Sequence, residues 1–513
     1  MVAENHKTKQ IARNTIYLYF RMILVMGVSL YTSRVVLRVL GFEDFGIYNV
    51  VGSVVVFMSF LQAALRNATF RYITYDLGKG KSENLWATYS MSINCHAILA
   101  ILLFAIMEIV GIWFINNKLN IEQNRLYAAN WAFQFSLITF CISIVRTPYE
   151  SNIMAHEKMD FYALTSIFEV LSKLGVVYLL TISSYDKLIA YSFLLMIVAI
   201  VLFLWYYMYC KHSFIDCKYI KCWDINILKK FSSYSGWSLL VNGATITRSQ
   251  CINIFFNLFL GVLSNAAMGI ANQVVSALNT FVSNFTQAFR PQLIKSWAGH
   301  DMDYFMKMVI STSKISYFLL LIVTIPVVAN LEFILQVWLV DYPPMTNIYI
   351  TAILCYYLVD ALQQPLVTSV HATGNLKFHQ IMIASIVIIE IPISYYLLYQ
   401  GCSGATVLMF DAFANIVCAI GRTIYMKRLI HLNLYLYITK VIIPVIVVSF
   451  ITVPLPIIMS SLYESTWISF FVFSFSSCIF SVLVCFFLGL DKSEKDLICS
   501  IPLVKSITRK LHI

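Results

Sequence analysis

The chain has 513 residues, of which 60% are hydrophobic and only 12% are charged, with a net charge of +11 and a mean hydropathy of +0.77. Soluble globular domains carry about 25% charged residues, so this composition excludes them and predicts a protein that lies within a membrane. Lipid accepts only helices or closed barrels. The apolar stretches have the length of a spanning helix, about 20 residues. The sequence therefore predicts an all-α polytopic membrane protein.

About fourteen apolar stretches follow one another along the chain and leave no room for a soluble domain. The first is preceded by Lys7, Lys9 and Arg13 and lacks a cleavage site of small residues, so we expect a span there and not a signal peptide. The predicted spans are residues 14–36, 45–66, 90–114, 127–146, 162–183, 187–209, 233–260, 264–289, 308–330, 345–371, 379–399, 403–426, 439–461 and 465–489.

Basic residues lie mostly in every second connecting segment. The N-terminus and the segment 210–232 are rich in lysine, whereas the alternate loops hold few cations, such as Arg38 and Arg125. The positive-inside rule then places both termini in the cytoplasm. The net charge is explained by this topology and by contact with anionic lipid, so no nucleic-acid partner is expected.

The first twelve spans read as a tandem repeat. Leu40-Gly41 and Gly46 recur as Leu260-Gly261 and Gly269, at offsets of 220 and 223 residues. A further match at an offset of 217 relates Pro148, Ala155 and Phe161 to Pro365, Ala372 and Phe378. Six spans per repeat give two parallel six-helix lobes, which predicts a substrate site at their interface. The predicted parts are an N-terminal lobe (1–209), a cytoplasmic linker (210–232), a C-terminal lobe (233–426), two added helices (427–489) and a cytoplasmic tail (490–513).

Polar side chains form stripes along two predicted spans. At about 100° per residue, each set lies on one face of its helix. Such stripes predict a wetted lumen, although small polar residues also join helices by hydrogen bonds. The stripes are Asn242, Thr245, Ser249, Asn253 and Asn257 in span 7, and Asn272, Ser276, Asn279, Ser283 and Gln287 in span 8.

Three cations deep within predicted spans are candidates for function, namely Arg21, Arg248 and Lys173. Intramembrane cations are candidates for function, and guanidinium groups suit phosphate through paired hydrogen bonds. We therefore predict a cationic cavity for a polyanionic passenger, with structural ion pairs as the alternative. Lys173 has such a partner in Glu169, one helical turn away.

Four acids are predicted to lie deep in spans, namely Glu169, Asp360, Glu390 and Asp411, and Glu108 lies nearer the end of another. They are interpreted as counter-ions to the cations or as sites of H⁺ or Na⁺ coupling.

No metal site is expected, because Cys210, His212, Cys217 and Cys222 fit no common zinc spacing. The short outer loops and isolated histidines argue against a membrane transferase or polymerase, so no enzyme is predicted.

A local motif resembles that of a known family. Residues 33–48 read SRVVLRVLGFEDFGIY, which is similar to the "RxLG…(E/D)(Y/F)GxY" signature of Wzx-type polysaccharide flippases, and the sequence Ala68-Thr69-Phe70-Arg71 resembles the basic motif after their second helix. These flippases belong to the multidrug/oligosaccharidyl-lipid/polysaccharide exporter (MOP) superfamily. The matched positions are Arg38, Gly41, Gly46 and Arg71, which we interpret as fold and gate elements. Gly41 and Gly46 are expected to permit a turn or close packing.

The resemblance implies a flippase of the bacterial inner membrane. Its substrate would be undecaprenyl-pyrophosphate-linked oligosaccharide repeats for O-antigen or capsule, moved by alternating access, with a polysaccharide polymerase and a chain-length regulator as partners. The last two helices would guide the lipid tail.

The alternative is a MATE-type, cation-coupled drug exporter. Such exporters usually have twelve spans and acids in spans 1, 7 or 8, whereas those spans here have none.

Overall fold

The computed structural model describes residues 2–56, 59–80, 82–117, 121–182, 184–215, 217–339, 341–454, 456, 458, 466–492 and 494–495. Within these ranges the regular structure is helical, and no strand occurs. Most of the predicted tail, residues 496–513, lies outside the described residues, as does part of predicted span 13.

The helices are numbered here in chain order. They are α1 (Val2–Val56), α2 (Ser59–Lys79), α3 (Ser82–Asn117), α4 (Gln123–Ala155), α5 (Met159–Ile182), α6 (Lys187–Ser213), α7 (Ile225–Ala298), α8 (Met302–Ala329), α9 (Leu331–Leu339), α10 (Thr346–Thr373), α11 (Lys377–Tyr399), α12 (Gly404–Leu429), α13 (Leu434–Thr452) and α14 (Trp467–Gly489).

Eleven helices in the described part of the chain are long and apolar enough to cross a membrane. The predicted all-α, multi-pass membrane fold is therefore confirmed. The number of fourteen spans and the cytoplasmic position of both termini stay predictions.

Two glycines interrupt the longest helices. Gly41 breaks α1 with φ 82° and ψ 169°, and Gly261 breaks α7 with φ 80° and ψ 178°. Only glycine adopts this region readily, because a side chain would clash with the backbone. The two positions that the Leu-Gly repeat relates thus share one backbone conformation.

The chain divides into two compact units. The N-terminal unit is Asn14–Leu239, and the C-terminal unit comprises residues 1–13 and 240–513. Side chains such as Phe133, Leu137 and Val177 form the core of the first unit. Phe256 and Ile350 belong to the core of the second.

Several predicted boundaries were wrong because hydropathy ends a span at its first charged residues. The predicted loop 66–89 is almost entirely helical, since α2 runs to Lys79 and α3 begins at Ser82. Helix α4 continues past Arg146 to Ala155. Asp44, which falls between the first two predicted spans, lies in α1 and pairs with Arg125 of α4.

The end of α14 is fastened to α8 by a buried ion-pair network. Lys314 of α8 is fully buried, and its Nζ donates to Glu494 Oε2 at 2.7 Å and to the Gly489 carbonyl at 3.4 Å. Asp491 lies 3.9 Å from Lys314 Nζ and 3.2 Å from Lys440 Nζ of α13. A side chain at position 489 would meet the Phe318 ring at 2.6 Å, so only glycine allows this close approach.

Candidate functional site

A cluster of charged side chains lies within the N-terminal unit. It is built from five helices, because the polar residues of each lie on the face that turns toward the others. The cations are Arg21 of α1, Arg66 of α2, Arg146 of α4 and Lys173 of α5, and the carboxylates are Glu150 of α4 and Glu169 of α5. Tyr162 of α5 and Tyr206 of α6 complete it.

The carboxylates of this cluster each have cationic partners. Glu169 accepts from Lys173 Nζ at 2.7 Å and lies 3.6 Å from Arg146 Nη1. Glu150 pairs with Arg66. The predicted contact between Glu169 and Lys173, one turn apart on α5, is thus present.

The aromatic members contact the arginines through their rings. The Arg21 guanidinium carbon lies 4.6 Å from the centroid of Tyr162, and that of Arg146 lies 5.4 Å from the centroid of Tyr206. Tyr206 is fixed by a 2.7 Å hydrogen bond to Thr165. Arg21 Nε is buried and has no hydrogen-bond partner among the described residues.

Positive charge is in excess in this cluster. Arg21, Arg66, Arg146 and Lys173 stand against Glu150 and Glu169, which leaves a surplus of two cations within the group. The side chains of Lys173 and Arg66 remain 44% and 41% exposed. Both cations are therefore partly accessible beside their carboxylate partners.

Arg248 has a different setting in the C-terminal unit. This α7 side chain donates to Glu390 Oε2 of α11 at 2.9 Å and lies 3.1 Å from Asp411 Oδ2 of α12. Tyr356 of α10 lies below its guanidinium, with 5.6 Å to the ring centroid. The structure thus favours the ion-pair alternative for Arg248 and makes Glu390 and Asp411 its counter-ions.

A second buried polar group lies in the same unit. Arg422 of α12 donates to His379 Nε2 of α11 at 3.0 Å and to Gln363 Oε1 of α10 at 3.4 Å. Asp360 of α10 accepts from Gln364 at 2.7 Å. Asp360 therefore has a hydrogen-bonded partner within its own helix, and Arg422 had not been predicted at all.

The polar stripe of the second half of α7 faces away from the core of its unit. Asn272 and Ser276 are exposed and Asn279 is half-buried, whereas Ala271, Val275 and Leu278 are buried in the core. Amide groups are costly in contact with lipid, and the aqueous lumen predicted for this face stays a prediction. In the first half of α7, Asn242 and Asn253 are half-buried and Asn257 is exposed.

The four motif residues have separate positions. Arg38 is exposed near the end of the first segment of α1, and Gly41 forms the break itself. Gly46 lies in regular helix, and a Cβ there would meet no described atom within 4 Å. Arg71 is buried in α2, with its guanidinium 4.5 Å from the centroid of Tyr72 and 4.6 Å from that of Tyr75.

Sequence reasoning missed Arg66, Arg146 and Glu150 as members of the cluster. They lie at or just beyond the ends of predicted spans, because a hydropathy window ends at charged residues. One signal was available: Arg146 and Glu150 are one helical turn apart and follow the apolar stretch in phase. Among the described residues, no group of three His, Cys, Asp or Glu side chains could hold a metal ion.

Comparison with known proteins identifies the fold. No model of a protein family matches the chain, and no curated protein sequence matches it. Solved structures do. A MATE transporter in complex with MaD3S matches with a TM-score of 0.70 at 13% identity, over 83% of this chain and 96% of that one. The Vibrio cholerae MATE transporter VcmN, in its bent form, matches with a TM-score of 0.69 at 12% identity, over 84% and 98%.

A third match is a MOP superfamily transporter from Pyrococcus furiosus, described by the reverse polarity of its binding pocket. Its TM-score is 0.68 at 12% identity, over 82% of this chain and 96% of that chain. At these identities the likeness shows the fold alone. The chain has the fold of MATE transporters of the MOP superfamily.

Proposed function

We propose that this chain is a flippase of the bacterial inner membrane. Its substrate is an undecaprenyl-pyrophosphate-linked oligosaccharide repeat, which it moves from the inner to the outer leaflet by alternating access for O-antigen or capsule assembly. A polymerase and a chain-length regulator would use the product. The observation that carries the proposal is the surplus of two cations in the half-open cluster of the N-terminal unit.

The charge of the passenger matches this surplus. A diphosphate linkage carries several negative oxygens and no positive charge, so it neutralises the excess cations. Guanidinium groups bind such oxygens through two parallel hydrogen bonds, whereas an ammonium acts as a point charge. Arg21, whose guanidinium lies 4.6 Å from the centroid of the Tyr162 ring, is the principal phosphate ligand. Lys173, 44% exposed, is the second.

The sugar portion has a separate set of partners in this proposal. Hydroxyl groups exchange hydrogen bonds with amides, which both donate and accept. Asn242, Asn253, Asn272 and Asn279 on α7 supply such groups without charge. Neutral partners suit a passenger whose anionic part binds elsewhere.

The test uses a host strain that lacks the gene and carries the chain or its variants on a plasmid. We expect undecaprenyl-pyrophosphate-linked repeats to accumulate on the cytoplasmic leaflet of the deletion strain, with loss of surface polysaccharide. Arg21→Gln with Lys173→Gln should lower export by at least tenfold, because a hydrogen bond to a charged group contributes about 1.5–3 kcal/mol. Arg34→Gln, an exposed position of the same helix, is the matched control and should export normally.

Normal export in the Arg21/Lys173 variant, at an equal amount of inserted protein, would contradict the role of the cluster. Normal export in the deletion strain would contradict the flippase.

A cation-coupled drug exporter of the MATE type is the second candidate. The observation that favours it is the pairing of one arginine, Arg248, with two carboxylates, Glu390 and Asp411, which leaves a negative charge for H⁺ or Na⁺ to neutralise. This candidate predicts that the deletion raises sensitivity to cationic drugs while surface polysaccharide is retained. It also predicts that Asp411→Asn alone reproduces that drug sensitivity.

A further inference from the structure

An apolar trough lies on the surface of the N-terminal unit. It has a volume of about 360 Å³ and is lined by Phe104 of α3, by Ile138, Cys141, Ile142 and Val145 of α4, and by Phe203 of α6. The four α4 positions have the spacing of a single helix face. The trough has the size of a small ligand site, roughly 300–1,000 Å³, but its lining offers no polar group to orient a polar ligand.

The trough is separate from the charged cluster. Arg146 and Glu150 are not among the lining residues of the trough, and they pair with Glu169 of α5 and Arg66 of α2. Helices α3 and α4 are closely packed at the trough, since Cys141 Sγ lies 3.6 Å from the Ala100 carbonyl. A ligand of the cluster would have to pass between packed helices to reach the trough.

The depth of the trough along its helices determines which molecules can occupy it. Phe104, Ile142 and Phe203 lie well inside α3, α4 and α6, each of which is long and apolar enough to span a membrane. At that depth a groove with an entirely apolar lining suits hydrocarbon chains better than water. An acyl chain is therefore the fitting occupant.

One cation lies where the headgroup of such a lipid would be. Phe203, Tyr207 and Lys211 recur every fourth residue on α6, so they lie along one face that leads from the trough to the helix end. Lys211 is exposed, and its Nζ lies 5.8 Å from the ring centroid of Tyr207. Eight residues correspond to about 12 Å along a helix, which separates Lys211 from the trough. Aromatic rings and lysines at helix ends are the usual contacts of lipid headgroups.

We infer that this trough is a binding site for an anionic phospholipid, with one acyl chain on Ile138, Ile142 and Phe203 and the phosphate at Lys211. Tyr149, whose ring contacts both Phe203 and Tyr207 at 5.8 Å, forms the wall between the two parts. The inference does not depend on the proposed function, because none of the residues that line the trough belongs to the charged cluster.

The test is native mass spectrometry of the full chain in mild detergent, with equal amounts of phosphatidylglycerol and phosphatidylcholine added. We expect the wild type to retain one phosphatidylglycerol in preference to phosphatidylcholine. Ile142→Trp fills the trough and should lower retention of both lipids at least tenfold. Lys211→Gln should leave total lipid retention unchanged but lower the preference for phosphatidylglycerol about fivefold, the effect of one lysine near a charged lipid surface.

The control is Ile416→Trp, at an exposed apolar position of α12 in the other unit, which should retain lipid as the wild type does. If Ile142→Trp does not fold, Val145→Phe replaces it with the same expectation. Undiminished retention in the filled trough would overturn the inference. A tenfold preference for undecaprenyl phosphate over phosphatidylglycerol in the wild type would also overturn it, in favour of an isoprenoid chain.

Discussion

In the N-terminal unit four cations surround two carboxylates, whereas in the C-terminal unit one arginine lies between two carboxylates. The two groups also differ in how exposed their side chains are. Lys173 is 44% exposed, but Glu390 and Asp411 are only 5% and 9% exposed. A partly exposed group with excess positive charge suits an anionic substrate that binds and is then released. A closed group suits the permanent pairing of residues from three helices.

The ion pair between Lys314 and Glu494 is a further example of a buried charged group. Lys314 is fully buried and Glu494 nearly so. A buried pair contributes little relative to an apolar pair of the same size, yet it is costly to break from one side. Its effect here is to fix one arrangement of the chain after α14 on α8.

The largest effect on stability is expected from Lys314→Met. The change leaves Glu494 buried without its cation, which costs about 3–5 kcal/mol. Thermal unfolding of the purified protein in detergent would measure it. The double variant Lys314→Met/Glu494→Gln removes both charges and keeps an oxygen for the Asp491 N–H, which now donates to Glu494 at 2.8 Å. The double variant should recover more than half of the lost stability. An equal loss in both variants would show that Lys314 does not stabilise the protein through its ion pair with Glu494.

A second prediction compares the open and closed groups directly. Arg248→Met leaves Glu390 and Asp411 facing each other and should cost about 3 kcal/mol. Lys173→Met removes a half-exposed cation and should cost less than about 1 kcal/mol, although it weakens export. The triple variant Arg248→Met/Glu390→Gln/Asp411→Asn should restore stability toward the wild type. Equal losses for Arg248→Met and Lys173→Met would remove the distinction between the two units.

The glycine breaks give a third prediction, in which the two units should behave alike. Gly41→Ala and Gly261→Ala place a side chain in a backbone region that only glycine adopts readily, so each should lower stability by about 1–3 kcal/mol. Gly46→Ala is the matched control. It lies in regular helix with open space around it, and alanine exceeds glycine in helix propensity by about 1 kcal/mol. Its unfolding temperature should therefore rise. A fall with Gly46→Ala would show that the signature needs both glycines.

Some of this architecture could be predicted from the sequence because the information is local. The apolar stretches give the helices, the Leu-Gly repeat indicates both breaks, and the i,i+4 spacing gives the Glu169–Lys173 pair. Periodicity identifies the polar face of a helix but does not tell which helix lies opposite. Arg248 and Glu390 are 142 residues apart in sequence, and Lys314 and Glu494 are 180 apart. These partners therefore could not be assigned from the sequence.

The smallest effect is expected at the link between α4 and α6 in the N-terminal unit. Asp186 precedes α6 and accepts from the Leu188 and Ile189 N–H groups at 3.1 and 3.2 Å and from Arg125 Nη1 at 2.6 Å. Burial raises the pKa of Asp186, but the hydrogen bonds from Ile189 and Arg125 outweigh it and hold the pKa below its ordinary value. The carboxylate therefore stabilises the fold above its unfolded pKa, about 3.9, and this stabilisation is lost as the pH falls through the lower, folded value.

Asp186→Asn tests this effect, because asparagine caps a helix as well as aspartate does and only the charge opposite Arg125 is lost. The variant should be less stable than the wild type at pH 7, by less than about 1 kcal/mol since the pair is partly exposed. Thermal unfolding at pH 7 and at pH 3 would measure the difference, which should shrink at the lower pH. A difference that is constant with pH would mean that the cap, and not the charge, holds α6 to α4. The ion pair between Arg125 and Asp186 would then contribute nothing measurable to stability.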